Sequence, residues 1–543
     1  MLRPKELFLY GRPAKLSEFK FDESGKDSII ACPRPPKEAV AAGRAIAVPA
    51  GEFSVDQVIK QLPPGYQPDI VHISARNLNF KPIGLHRFGC PTVMKLGDTF
   101  HWGDGTLSGM VQYCRQLQCD YHWVYQGVQH LHFFAEAGLK NVFWLPGTMA
   151  IDPYVPPPSD TKLYDAVFRG SRSEFHVQRS RLISVLEQSG VAIDVASKPY
   201  RASLDDYPKA KIVLNCSLNG DLNRRVFEVL MAGGFLLSDR LSPQAGLSQL
   251  FQEGTHLECY GDEQELLDKI SYYLSHPEEA AQIASAGQQR LLECFSQADI
   301  KQKFYRYVLN HEPSPPFTLH HDPRAAVAPC RDLDFLHSRI KLYEIVQELH
   351  RINPKISLIY WQGKCKELLA DLADLPRLEI TYAGDALSEV KDYCARVGVA
   401  NQICFQHSSS KAQIEQSIYQ VVIIDLPNDD VGLSRWAEEA VALTAESGLL
   451  LIAHQPMPGL RRKIDGLLKA KGLKPVRLGF PSQTWEPQKP TYLAYQRGES
   501  PNIAASAPRL SLQPMSLRVH LIQSVKSLPW FRAGRRLYLA TRR

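Results

Sequence analysis

The chain has 543 residues, a net charge of +6, and 44% apolar against 22% charged residues. At about 150 residues per core, that length needs three or four units. The composition excludes fibrous, disordered and nucleic-acid-coating classes. No run of eighteen apolar residues exists, and Met1-Leu2-Arg3-Pro4-Lys5-Glu6 lacks the apolar stretch of a secretory leader. A cytoplasmic protein is therefore expected. Eleven scattered cysteines without a Cys-x-x-Cys pair read as buried free thiols, and no metal site is expected.

The first forty-odd residues, with Pro33, Pro35 and Pro36, read as irregular. Strand-like runs follow at 69–73, 91–96, 119–125 and 142–146, with a helix from Val128 to Ala137. Strands separated by helices of this length imply a parallel sheet. Pro153 and Pro156-Pro157-Pro158 mark a hinge. A second alternating region has strands at 164–170, 192–195, 211–215 and 235–239 and helices at 178–188, 224–231, 263–274 and 278–295. Five prolines between His311 and Cys330 read as an extended linker. Strands at 356–360, 378–382, 402–405, 421–425, 448–453, 476–478 and 492–495 then form a third unit. The predicted boundaries are 1–155, 156–310, a linker over 311–330, 331–498, and a tail over 499–543. The tail carries eight basic and no acidic residues from Ala507 onward.

The stretch Asn223-Arg224-Arg225-Val226-Phe227-Glu228, ending in Gly233-Gly234 and Phe235-Leu236-Leu237-Ser238-Asp239, reads as a short helix, a glycine stop and a buried strand. Arg225 and Glu228 stand three residues apart on one helix face. A guanidinium and a carboxylate near a helix start can hold a phosphate and a ribose hydroxyl together. As a surface ion pair, the same two groups contribute only about 0.2–0.5 kcal/mol.

These residues carry a resemblance. Phe168-Arg169-Gly170-Ser171, Asn223-x-Arg225-x-Phe227-Glu228, Ala232-Gly233-Gly234 and Trp144-Leu145-Pro146 resemble the spore-maturation-type glycosyltransferases, within the wider family 1/4 group. The resemblance implies an α/β fold with two Rossmann-like domains in the GT-B arrangement. It also implies a nucleoside-diphosphate sugar donor bound mainly by the second domain, without a metal. Carried over, Glu228 accepts from the ribose hydroxyls and Arg225 meets the diphosphate. The turn Gly170-Ser171-Arg172 offers N–H groups and a cation, and Asn223 and Gly233, at the two ends of the helix, complete the donor-binding set. Related retaining enzymes carry a second glutamate eight positions before Glu228; here Gly220 stands there, beside Asp221. The loop Gly97-Asp98-Thr99-Phe100-His101-Trp102 follows a strand, where α/β folds place ligands. Asp98 and His101 are the candidate bases for the acceptor hydroxyl, with His122 and Trp123 as weaker candidates to line the cleft.

The third region resembles the class I S-adenosylmethionine-dependent methyltransferases, a further Rossmann-like domain. Its first loop, Trp361-Gln362-Gly363-Lys364-Cys365, has one glycine where the cofactor's amino-acid part needs close backbone approach. Asp385 and Asp425 occupy acidic positions of that fold. The tail places Leu517, Leu521, Ile522, Val525 and Leu528 at helical spacing among arginines, a pattern suited to peripheral contact with an anionic membrane. The leading expectation is hexosyl transfer from a nucleoside-diphosphate sugar to a glycan or lipid-linked acceptor, in polysaccharide biosynthesis. A methyltransferase that uses S-adenosylmethionine beside a glycan-binding half, and a scaffold with both sites decayed, stay open. No nucleic-acid partner is expected.

Overall fold

The structure is a computed structural model. It describes residues 3–19, 27–74, 77–97, 99, 107–125, 127–151, 153–172, 176–312, 329–330, 332–353, 356–407, 418–425, 432–452, 458–479, 493–498 and 511–514. The first lobe is built on β1 (Glu6–Leu9), β2 (Ser28–Cys32), β3 (Ala45–Ala47), β4 (Glu52–Ser54), β5 (Ile70–Ser74), β6 (Lys81–Ile83), β7 (Thr92–Leu96), β8 (Tyr121–Val124) and β9 (Val142–Trp144). Seven of these form an all-parallel sheet in the order β3-β2-β1-β5-β7-β8-β9, while β4 and β6 pair separately. The opening residues, expected to be irregular, thus supply β1 and β2, two inner strands on one side of this sheet. Glu6 disguises β1: it is buried, yet His72 at 2.9 Å and Lys301 at 3.3 Å neutralise it. Burial pushes its carboxyl up, but the His72 bond and the two charges outweigh that and hold it at about 2.

The second lobe has β10 (Tyr164–Arg169), β11 (Ile193–Ala196), β12 (Ala210–Leu214), β13 (Leu236–Asp239) and β14 (Glu258–Tyr260). They run parallel in the order β11-β10-β12-β13-β14. Its apolar strands read as continuous runs because helices cover both faces. The last helix of this stretch, Gln297–Asn310, leaves the second lobe and packs on the first. Its Phe304 ring lies 5.6 Å from Trp123 and 6.1 Å from Phe143, and Gln297 donates to the Ile151 carbonyl at 2.6 Å. The two lobes are Rossmann-like domains in the GT-B arrangement.

The third unit has β15 (Ser357–Trp361), β16 (Glu379–Gly384), β17 (Ile403–His407), β18 (Tyr419–Ile424), β19 (Thr444–Ile452), β20 (Leu473–Gly479), β21 (Leu493–Arg497) and β22 (Ser511–Pro514). The order is β17-β16-β15-β18-β19-β21-β20-β22, parallel through β19 and antiparallel beyond. This is the methyltransferase-like order, extended by β22, which lies past the expected boundary at 498. The tail's apolar spacing from Leu517 onward lies outside the described residues. Among those described, no helix is long and apolar enough to cross a membrane.

A 20-residue helix, Leu333–Ile352, joins the third unit to both lobes. Asp332 caps it by accepting from the Asp334 and Phe335 N–H groups. It packs on the helices Leu107–Leu117 and Leu131–Glu136 of the first lobe, Val177–Gln188 of the second and Lys366–Ala373 of the third.

Candidate functional site

The site forms where β10, β12 and β13 end. Asn223 caps the helix Arg224–Met231, its Oδ1 accepting from the Arg225 N–H at 3.1 Å. The Arg225 side chain turns back over the sheet edge. Its Nη1 donates to Asn215 Oδ1 at 2.9 Å, its Nε donates to the Arg169 carbonyl at 3.0 Å, and its guanidinium lies 4.3 Å above the Phe168 ring. Asn215 is fixed by Asn223 Nδ2 and by its own bond to Ser238 Oγ. Gly170 makes this possible, since a Cβ there would stand 2.5 Å from Arg225 Nη2. Gly233 closes the helix with φ of 72°, and its N–H donates to the Leu230 carbonyl.

A second arginine, absent from the sequence reading, sits beside the first. Arg179 stacks on the same Phe168 ring at 5.1 Å and donates to the carbonyls of Ser171 and Cys216 at 3.1 and 3.3 Å. Among the described residues neither Arg179 nor Arg225 has a carboxylate in an ion pair, and Arg179 Nε is buried without an acceptor. Burial, and then the repulsion of Arg225, pulls the Arg179 guanidinium down to about 10. Both arginines stand in the first turn of their helices, where the dipole disfavours cations and attracts anions. That misplacement was the signal in the sequence that would have found Arg179.

Glu228 is buried. Its nearest cation is Arg224 at 3.5 Å, and its Oε1 accepts no hydrogen bond among the described residues. Burial pushes its carboxyl up, partly offset by Arg224 and Arg225. Asp239, at the end of β13, accepts from the Ser217 N–H at 2.8 Å and from the Ser217 hydroxyl. Two expected contacts are committed elsewhere. Arg172 pairs with Glu187 at 2.8 Å and Ser184 at 2.7 Å rather than facing the sheet edge, and the Gly170 N–H donates to the Ala196 carbonyl. Gly220 has φ of 82°, and a Cβ there would stand 3.0 Å from Pro376 Cδ. That space and backbone suit glycine, not glutamate. Asp221 is buried and accepts from the Leu218 N–H at 2.8 Å.

On the first lobe, Asp98 and His101 lie outside the described residues. Thr99 between them is buried, with its Oγ1 3.0 Å from His130 Nδ1, whose Nε2 is 2.9 Å from the Tyr343 hydroxyl. His122 and Trp123 do not line a cleft. The His122 ring is 3.0 Å from the Lys140 carbonyl and lowered to about 4 by burial, and Trp123 is core.

The third unit's first loop does not fit S-adenosylmethionine. A Cβ on Gly363 would stand 2.3 Å from the Tyr360 ring, so that ring fills the space above the loop. Tyr382 donates to the Gly363 carbonyl at 3.0 Å. Asp425 accepts from the Lys364 N–H at 2.6 Å and the Tyr360 hydroxyl at 3.3 Å. The groups that would meet a cofactor are used within the protein.

The model of the family described as glycosyl transferase-like matches residues 174–304. The central domain is thus glycosyl transferase-like, which supports sugar transfer in general. HepE of Anabaena, solved with UDP-glucose, is 13% identical with a TM-score of 0.41, over 56% of this chain and 99% of that one. Sucrose-phosphate synthase of Thermosynechococcus elongatus is 13% identical with a TM-score of 0.36, over 57% and 100%. A methyltransferase-type structure from Thermoplasma acidophilum is 11% identical with a TM-score of 0.21, over 26% and 69%. No curated protein sequence matches the chain.

Proposed function

We propose that this protein transfers a hexosyl group from a nucleoside-diphosphate sugar to a glycan or lipid-linked hydroxyl. One observation carries the reading: two guanidiniums that, among the described residues, form no ion pair with a carboxylate share the Phe168 ring at a parallel-sheet edge, near a buried Glu228 oxygen that accepts no hydrogen bond from those residues. In this reading Arg225 and Arg179 face the diphosphate, and Glu228 accepts from the ribose hydroxyls. Asn223 and Asn215 aim Arg225, Gly170 makes room for it, and Ser171 holds Arg179 through its carbonyl.

When the bond from the sugar's anomeric carbon to the phosphate oxygen breaks, its electron pair goes to the diphosphate. The cations and two helix N-termini stabilise the charge that grows there. They perform the task a divalent ion performs elsewhere, and the reading is metal-independent. The acceptor hydroxyl loses its proton to a base on the first lobe, for which Asp98 and His101 are proposed. The basic tail is proposed to meet an anionic membrane surface that carries the acceptor. All eleven cysteines are free thiols, which supports a reducing, cytoplasmic setting. The methyltransferase-like unit is read as a packing unit without S-adenosylmethionine, because Tyr360 and Tyr382 fill its loop.

The test is calorimetric titration of the full chain with UDP-, GDP- and dTDP-sugars, UDP-glucose first. Glu228→Ala is expected to weaken the preferred donor by at least about tenfold, as for a charged hydrogen bond of 1.5–3 kcal/mol, with thermal stability kept. Equal affinity of Glu228→Ala and wild type for every donor overturns the assignment.

A further inference from the structure

The third unit meets the donor lobe through the turn between the helix Lys366–Ala373 and β16. Pro376 closes over Gly220, in the loop that leads into the Arg225 helix. Asp374 Oδ1 accepts from the Ser242 hydroxyl at 2.7 Å, just past Asp239. Arg377 Nη2 donates to Gln178 Oε1 at 3.0 Å, and Gln178 is the neighbour of Arg179. One short turn thus touches the exits of β10, β12 and β13 together.

Arg377 is an odd residue for such a turn. Its φ is 66°, a left-handed conformation that a non-glycine residue adopts only against steric strain. It is only partly buried, and among the described residues no carboxylate pairs with it. Its charge nevertheless reaches buried Asp239, where it opposes the effect of burial. An arginine in this conformation, with no ion pair to a carboxylate among the described residues, lies on the rim of a site that already holds two such arginines. A third cation there, reached only at longer range by Asp239, calls for a polyanion.

We infer that Arg377 is a donor-binding residue, a third cation for the diphosphate supplied by the methyltransferase-like unit, so that this unit completes the transferase site. The inference rests on the donor-site reading above. It also gives the third unit a task that its filled loop at Gly363 does not: the turn after its first helix, rather than its own cofactor position, meets the ligand.

The experiment titrates the full chain with UDP, GDP, UMP and inorganic pyrophosphate, comparing wild type with Arg377→Ala, Arg377→Lys and Arg225→Ala. Arg377→Ala is expected to weaken UDP and pyrophosphate by about tenfold or more, in the range of a lost charge-assisted bond. UMP should change much less, so the UDP-to-UMP ratio collapses, and Arg377→Lys should restore most of it. A packing role would lower the melting temperature and weaken UDP and UMP alike, which overturns the inference. If Arg377→Ala binds UDP within twofold of wild type while Arg225→Ala loses it, Arg377 has no part and the donor site stands. If wild type binds none of UDP, GDP or pyrophosphate, both readings fall. Should Arg377→Ala not fold, Arg377→Gln decides: a UDP-to-UMP ratio far below that of wild type, with UMP binding kept, supports the inference, and an unchanged ratio or an equal loss of both rejects it.

Discussion

Gly170 and Arg225 define each other. The guanidinium reaches Asn215 and the Arg169 carbonyl only by lying against the glycine's Cα. Gly170→Ala puts a methyl group at 2.5 Å from Nη2. The far end of a flexible side chain can yield, so the fold should survive with a cost near or below the 1–3 kcal/mol typical of overpacking. In the proposed donor site, Arg225 cannot yield and still face a phosphate. Calorimetry with UDP should therefore show a loss of about tenfold or more, while the melting temperature moves by only a few degrees. An unchanged affinity would mean that the arginine points elsewhere when nucleotide binds. The residue-scale chemistry was only half legible in the sequence. Asn223, Arg225 and Glu228 stand in one short motif, where helix spacing places Arg225 and Glu228 on one face and the resemblance suggests their proposed roles. Arg179 belongs to another helix, 46 positions upstream of Arg225, and only the fold brings it onto the Phe168 ring. Arg172 sits next to the glycine turn and looks like a phosphate cation, yet Glu187 on the following helix claims it.

At the scale of elements, the helix Leu333–Ile352 is the unexpected feature. Its sequence is rich in charge, yet the described side chains from Leu336 to Arg351 are buried. The charges survive burial because each meets an opposite charge or a donor. Arg339 contacts Glu136 at 2.7 Å and Asp371 at 3.1 Å, and His132 lies 2.8 Å from Asp371. Glu344 accepts from the Ser108 N–H at 2.7 Å and pairs with Lys341 at 3.0 Å. Arg351 pairs with Glu348 at 2.6 Å. Arg339→Met removes the cation shared by two buried acids on different units. Stability should fall by about 3–5 kcal/mol in urea melts, and part of it should return when Asp371→Asn is added. The helix also sets an acid limit. Burial, helped by Lys341 for His337 and by Arg377 for His350, holds both imidazoles neutral, at about 3. Their ordinary value is about 6.5. Below that value the unfolded chain takes up protons that the folded chain refuses. Stability is then complete above pH 6.5 and lost as pH falls towards 3, by up to about 1.4 kcal/mol per pH unit for each histidine. Melts at pH 7, 6 and 5 should show this slope, and His337→Gln with His350→Gln should flatten it even if the variant is less stable throughout. A slope unchanged in that variant would assign the acid sensitivity to other groups.

The whole molecule was legible as three alternating α/β regions because fully buried parallel strands are apolar runs that need no context. What escaped were the pieces whose partners are far away. β1 carries a buried glutamate that looks like surface until His72 and Lys301 are placed beside it. The helix Gln297–Asn310 reads as the end of one domain but packs on the other, and β22 completes the third sheet from beyond the expected boundary. The same long-range packing decides how the chain unfolds. A single apolar cluster runs from Leu7 and Trp123 in the first lobe through Val226 and Leu230 in the second to Tyr343, Leu369 and Leu451 in the third. Buried ion pairs and hydrogen bonds cross the same boundaries at Glu136, Ser108 and Ser242, and a part-buried one at Gln178. Three domains on flexible linkers would melt independently, each with its own midpoint. Here, removing the third unit strips apolar surface and leaves buried partners such as Glu136 without Arg339. Calorimetry of the full chain should give one dominant transition, and a chain ending at residue 312 should melt well below it or aggregate. Two or three resolved transitions, with the first two lobes keeping their midpoint after truncation, would make the third unit a passenger and remove the physical basis for its turn completing the donor site.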